Sequence, residues 1–193
     1  MKLYILRHED RTQDCSFFSP LTLVGLNNSK KLAEHLKKEN INLIFSSPFI
    51  RTLQTVHPYV KETKISINLE YSLSELHHEA IIAKQSTGIY LPEYIAQAFN
   101  YNSSYKSLIE PSNIKYPESE NDIKHRIKNF IKHLLMNYHN SDLNILIVTH
   151  QSGCLNIIEP IKQKIPTINT VDYDKGKLTK VFENYDWVFE EIN

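Results

Sequence analysis

Two histidines each follow directly on a strand-like apolar run. Lys2-Leu3-Tyr4-Ile5-Leu6 leads into Arg7-His8, and Leu143-Asn144-Ile145-Leu146-Ile147-Val148 leads into Thr149-His150. Runs of this kind read as strands buried on both faces of a parallel sheet, and such sheets take ligands outside the carboxyl ends of their strands. If the two strands are neighbours, His8 and His150 face one pocket with Arg7 beside them, a site for a small anion. The arginines sharpen that expectation. Only four occur, Arg7, Arg11, Arg51 and Arg126, against eighteen lysines. Lysine therefore serves for generic surface charge, while arginine is hard to replace where a planar fork must grip a phosphate or carboxylate. Arg7 and Arg11 flank His8. Arg51 falls three residues past Pro48, at a helix start whose N-terminus itself favours an anion. Arg126 is expected on the exposed side of a later helix, and Arg11 is either a pocket residue or a surface charge.

The elements that must position these groups alternate. After the first strand, Thr22 is a candidate N-cap for a helix that buries Leu26, Ser29, Ala33 and Leu36 and ends near Asn40. Ile41 to Phe45 reads as a short strand, and Ser46-Ser47-Pro48 as the start of another helix, with serine capping and proline in the first turn. A third strand is expected over Ile65 to Leu69. The clearest helix runs from Ser119 to Tyr138, opened by the capping pattern Ser119-Glu120-Asn121-Asp122, with Ile123, Ile127, Phe130, Ile131, Leu134 and Tyr138 as its apolar stripe. A helix with Leu155, Ile158 and Ile161 follows the second strand-histidine pair and should break at Pro160 or Pro166. From Ile168 the tail reads as strands joined by turns at Asp174-Lys175-Gly176 and Asn184-Tyr185-Asp186.

Strands alternating with amphipathic helices give an α/β fold, a three-layer α/β/α sandwich with a mainly parallel central sheet. At 193 residues, one domain over 1–193 is expected. Between Glu75 and Pro117 the periodicity weakens and tyrosine-rich polar sequence takes over, which reads as an insertion capping the pocket. Tyr90, Tyr94, Tyr101 and Tyr105 would either line a substrate pocket or stiffen that cap. Acids and bases balance at 22 each, so no global field favours nucleic acid. No apolar run approaches a membrane span, and the two cysteines, Cys15 and Cys154, are too few for a disulfide framework. A cytoplasmic protein without nucleic-acid or membrane partners is expected, and oligomeric state is not legible. His77-His78-Glu79 lacks the helical spacing of a metal site.

Together the segments resemble the histidine phosphatase superfamily, the phosphoglycerate mutase-like proteins. Arg7-His8-Glu9 stands where that family has Arg-His-Gly, and Leu21-Thr22 with Gly25 is similar to its Leu-Thr-x-x-Gly helix entry. Ser46-Ser47-Pro48-Phe49-Ile50-Arg51 with Thr55 is very similar to its Ser-Ser-Pro-x-x-Arg-x-x-x-Thr segment. Ser74-Glu75 resembles the position of its acid, and Thr149-His150 its second histidine. The run Arg7 to Arg11 also resembles the ecdysteroid-phosphate phosphatase and TULA-like branch.

The resemblance implies a phosphatase that hydrolyses phosphomonoesters through a phosphohistidine, with no cofactor and no metal. His8 would be the nucleophile, Arg7, Arg51 and His150 would hold the phosphate, and Glu75 would be the proton donor. Glu79 is the alternative acid. The substrate would be a small phosphorylated molecule or a phosphoprotein. Three departures bear on this reading: Glu9 replaces the motif glycine, Asp14 lies where many relatives carry a phosphate-binding asparagine, and Gln151 follows the second histidine where a small residue is common. A mutase, or a catalytically weakened phosphate- or protein-binding member, are the alternatives. Against a mutase, residues 75–117 hold no arginine and only Lys84, Lys106 and Lys115 to grip a second anion.

Overall fold

The computed structural model describes residues 1–14, 16–83, 89–162, 176, 178–184 and 186–192. A six-stranded sheet runs in the order β3-β2-β4-β1-β5-β6, with strands β1 (Lys2–Arg7), β2 (Leu43–Ser46), β3 (Ile67–Leu69), β4 (Asn144–Thr149), β5 (Leu178–Asn184) and β6 (Asp186–Ile192). The first four are parallel, and the β5–β6 hairpin adds antiparallel on β1. Helices α1 (Leu23–Lys38) and α2 (Ile50–Thr63) share one core cluster with Tyr4, Leu6, Ile44, Leu146 and Val148. Helices α4 (Glu120–Tyr138) and α5 (Gln151–Lys162) share the other with Leu3, Ile5, Phe45, Ile145 and Ile147. Alternate residues of β1 and β4 thus feed opposite layers, the period-two geometry of a strand covered on both faces. This is the expected three-layer sandwich.

Register decides where the chemistry collects. Arg7 pairs with Thr149 and Ser46 with Val148, so β1, β4 and β2 end level with one another. The His8 amide donates to the Thr149 carbonyl at 3.0 Å, and the Ser47 amide to Val148 at 3.0 Å, carrying the alignment past the strand ends. Helix α1 is seated on the loop after His8. Its N-cap Thr22 accepts from the Gly25 amide, and a Cβ at Gly25 would lie 2.2 Å from the Asp10 carbonyl oxygen. Only glycine allows that approach. In α4 the anticipated capping box is present, with Ser119 and Asp122 satisfying each other's backbone N–H.

Several expectations need correction. The buried stripe of α1 is Gly25, Ser29, Leu32, Ala33 and Leu36, and Leu26 is exposed. Helix α2 begins at Ile50 with Phe49 as N-cap and no side-chain cap, so Ser46 ends β2 and Ser47-Pro48 connect it to the helix rather than forming the first helical turn. Pro160 lies inside α5 and does not break it, and Pro166 lies outside the described residues. Arg126 is not exposed: it is 6% accessible within α4.

Of residues 75–117, Glu93–Gln97 form a short helix, α3. Tyr101 bridges Ile67 on the free edge of β3, flanked by Ile67–Asn100 and Asn102–Ile67 backbone bonds. That part of the segment therefore protects a sheet edge. The Tyr101 and Tyr105 hydroxyls donate to Glu93 (3.2 Å) and Glu70 (2.6 Å), while Tyr90 and Tyr94 are exposed. The anticipated tail hairpin is β5–β6, with Gly176 at positive φ before it, whereas Asp174, Lys175, Tyr185 and Cys15 lie outside the described residues. Cys154 is a buried free thiol. Among the described residues no helix is long and apolar enough to cross a membrane.

Candidate active site

His8 is 3% exposed, and its Nδ1 lies 2.7 Å from the Glu9 carbonyl oxygen. A carbonyl only accepts, so Nδ1 carries the ring proton and Nε2 keeps a free lone pair. Burial, with Arg51 next in weight, pushes this imidazole down to about 3. A buried neutral ring with a bare Nε2 is a competent nucleophile at neutral pH.

The His150 ring packs edge-on against it, with centroids 5.2 Å apart. His150 Nε2 lies 2.8 Å from Ser47 Oγ, which accepts from the Phe49 amide at 3.5 Å. That arrangement leaves the serine proton for Nε2 and places the His150 ring proton on Nδ1. Nδ1 has no hydrogen-bond partner and stands 3.6 Å from Glu75 Oε2. Burial first, then Arg51, holds His150 well below its ordinary value.

Arg51 is 1% exposed, on the first turn of α2. Its guanidinium stacks 4.4 Å from the Phe49 ring centroid and donates to the Ser16 carbonyl at 3.2 Å. Its Nε has no partner. Burial pushes Arg51 down only to about 10, so it stays cationic at neutral pH. Arg7 ends β1 beside His8 and is partly buried.

Glu75 is 9% exposed. Its Oε1 accepts from the Leu76 amide at 3.0 Å and from the Ser152 hydroxyl on α5. Ligating atoms of His8, Glu75 and His150 lie within 4.8 Å of one another, a set that would also suit a metal ion. The buried Arg51 cation acting on both histidines favours an anion there instead.

The other candidates are further out. Arg11 donates to the carbonyls of Thr12 (2.7 Å) and Asp14 (3.1 Å), bracing its own loop, and its charge still acts on His8 and His150. Asp14 is exposed and accepts from Thr12 and Ser19. Glu79 is exposed on a turn and makes none of the Glu75 contacts. His77 is buried, with Nε2 unpartnered, and burial pushes it down to about 4.

Glu9 is buried as well, and its direction matters. A Cβ on Gly176 would lie 2.2 Å from Glu9 Oε1, and the Asn28 amide donates to Oε2 at 3.4 Å. The carboxyl therefore faces the tail and α1, and burial pushes its pKa up. Sequence reasoning missed Ser47 and Ser152. Ser47 lies inside the Ser-Ser-Pro segment and Ser152 two residues past His150, so adjacency was the available signal.

The model of the histidine phosphatase superfamily (branch 1) matches residues 6–191. The chain belongs to that superfamily. None of the curated proteins compared matches it. Among solved structures it resembles ecdysone phosphate phosphatase from Bombix mori in complex with tungstate, at 13% identity and a TM-score of 0.73, covering 100% of this chain and 92% of that one. It also resembles alpha-ribazole phosphatase from Shigella flexneri (18%, 0.68, 100% and 96%) and mycobacterial glucosyl-3-phosphoglycerate phosphatase with inorganic phosphate (15%, 0.65, 100% and 95%). At these identities the likeness is one of fold.

Proposed function

We propose that the protein hydrolyses phosphomonoesters in two displacements at His8. In the first, Nε2 attacks phosphorus, the bond to the leaving oxygen breaks, and Glu75 gives that oxygen its proton. In the second, water attacks phosphorus, the bond to His8 Nε2 breaks and returns its electron pair to the ring, and Glu75 takes the proton of that water, releasing phosphate. Arg7, Arg51 and His150 hold the non-bridging oxygens, so fixed cations and a ring N–H supply the charge stabilisation and no step needs a metal. The observation that carries this reading is the Nδ1 bond from His8 to the Glu9 carbonyl, which leaves Nε2 bare in a site where Arg51 Nε and His150 Nδ1 have no hydrogen-bond partner.

The leaving group has a place to go. A cleft of about 790 Å³ opens beside Glu75, with apolar walls from Leu76, Ile81 and Leu155, polar groups from Gln151 and Asn156, and the charged Glu120, Lys124 and Lys128 of α4. That volume is in the range of small-molecule sites, which favours a small phosphorylated substrate over a phosphoprotein. Leu76 and Ile81 belong to residues 75–117, which supports reading part of that insertion as a cap within one domain. We place the protein in the cytoplasm on its neutral charge balance and sparse cysteine.

The purified chain should release phosphate from p-nitrophenyl phosphate in the presence of EDTA, and His8→Ala should abolish release while remaining folded. Substantial turnover by folded His8→Ala, or loss of wild-type activity on chelation, would overturn the reading.

A further inference from the structure

We propose that Arg126 and Glu118 act together as positioning residues that hold the Glu75 carboxyl beside His150. The inference rests on Glu75 being the general acid.

Both side chains are buried, at 6% and 4% exposed. Arg126 Nε donates to Glu118 Oε1 at 2.7 Å and Nη2 to Oε2 at 2.9 Å, a two-pronged pair. The remaining donors go to backbone. Nη1 reaches the carbonyls of Ser72 (2.6 Å) and Ser74 (2.9 Å), and Nη2 that of Glu75 (3.0 Å). All five guanidinium N–H groups thus have acceptors, three of them on the chain that carries Glu75. Glu118 closes the other side: Oε2 accepts from the His77 amide at 3.1 Å, and the Glu118 amide donates to the His77 carbonyl at 2.8 Å.

The 3-10 turn over Tyr71–Leu73 ends just before this loop, and Ser74 to His77 lie outside helix and strand. No regular backbone ladder fixes the path of Glu75. Its position comes from three anchors: the Arg126–Glu118 pair, the Thr149 hydroxyl on the Leu73 carbonyl (2.8 Å), and the Ser152 hydroxyl on Glu75 itself. A buried ion pair is poor value as a stabiliser, because apolar replacements of similar volume are often as stable. What this pair supplies is geometry, and a planar five-donor fork on three carbonyls is something lysine cannot copy. An acid displaced by about 1 Å loses on the order of 10²-fold in rate.

The test compares Arg126→Lys, Glu75→Gln and the double variant over aryl phosphates of rising leaving-group pKa, with vanadate inhibition as a probe of the phosphate subsite. Arg126→Lys should slow phenyl phosphate roughly 30- to 100-fold, slow dinitrophenyl phosphate less than about 3-fold, and leave the vanadate Ki unchanged. In the Glu75→Gln background, Arg126→Lys should add little further loss, since the group it positions is gone. Uniform slowing of all substrates, weakened vanadate binding, or additive losses would overturn the proposal, because a merely structural role gives those results. If Glu75→Gln itself shows no leaving-group dependence, the assignment of the acid fails instead. Should Arg126→Lys not fold, Glu118→Gln, which keeps the shape but removes the paired charge, is judged by the same substrate series and the same double comparison.

Discussion

Lowering the pH from 7 to 5 should destabilise this fold steeply, because three imidazoles are buried in the neutral form. His8, His77 and His150 are 3%, 4% and 0% exposed. Burial is the first cause of depression in each, taking His8 to about 3, His77 to about 4 and His150 well below 6.5. The sign follows from proton uptake. The unfolded chain protonates these rings as pH falls through 6.5 and the folded chain does not, so stability is present above 6.5 and lost below it. Each ring costs about 2 kcal/mol between pH 7 and pH 5, or about 6 kcal/mol for three, as long as its folded pKa stays below 5. That is comparable with the whole stability of many domains, about 5–15 kcal/mol. Glu9 acts in the opposite sense: its folded pKa is raised, so its contribution grows as pH falls and takes back part of the loss. The lowered Asp14 and Asp122 matter only below this window. Guanidinium denaturation at pH 7, 6 and 5 and constant ionic strength measures the effect, and His77→Gln should shrink it by about 2 kcal/mol. A total loss under about 2 kcal/mol, or an unchanged pH slope in His77→Gln, would refute the argument that burial keeps these rings neutral.

Further expectations concern the site. Arg51→Lys should lower kcat/KM by about 10²-fold or more, since a point charge cannot reproduce the fork, and near-normal kinetics would place Arg51 outside the phosphate subsite. Glu9→Gly should leave kcat/KM within about 3-fold of wild type, because that carboxyl faces Gly176 and Asn28, and a tenfold gain would show that its charge reaches the site. Gly176→Ala should destabilise by at least the ~1–2 kcal/mol of a side chain at positive φ, and Glu9→Gly should recover only the part due to crowding. Urea titration of both single variants and the double decides that.

Much of the fold is written in local patterns. β1, β4 and α4 were legible because buried strands and a capped amphipathic helix are specified by their own residues. His8 and His150 were legible as a pair for the same reason, since each sits one step past a buried run. Arg126 was not. Its burial depends on the carbonyls of Ser72, Ser74 and Glu75, far away in sequence, and helical periodicity carries no record of them. Leu26 misled because α1 presents Leu23, Val24 and Leu26 outward and lets Gly25 and Ser29 face the core, where close approach counts for more than apolar area. The orientation of Glu9 depends on a glycine at the far end of the chain, so the motif departure alone could not say where its charge would go.

The most direct test of the central claim is to trap the phosphoryl group. The enzyme is mixed with an aryl phosphate, quenched in alkali within one turnover, digested, and the phosphopeptide mapped by mass spectrometry. The account expects an acid-labile, alkali-stable phosphoryl group on His8, forming as fast as turnover requires and absent from His8→Ala. A phosphoryl group on another residue, or full turnover with no phosphoenzyme at any time point, would contradict it.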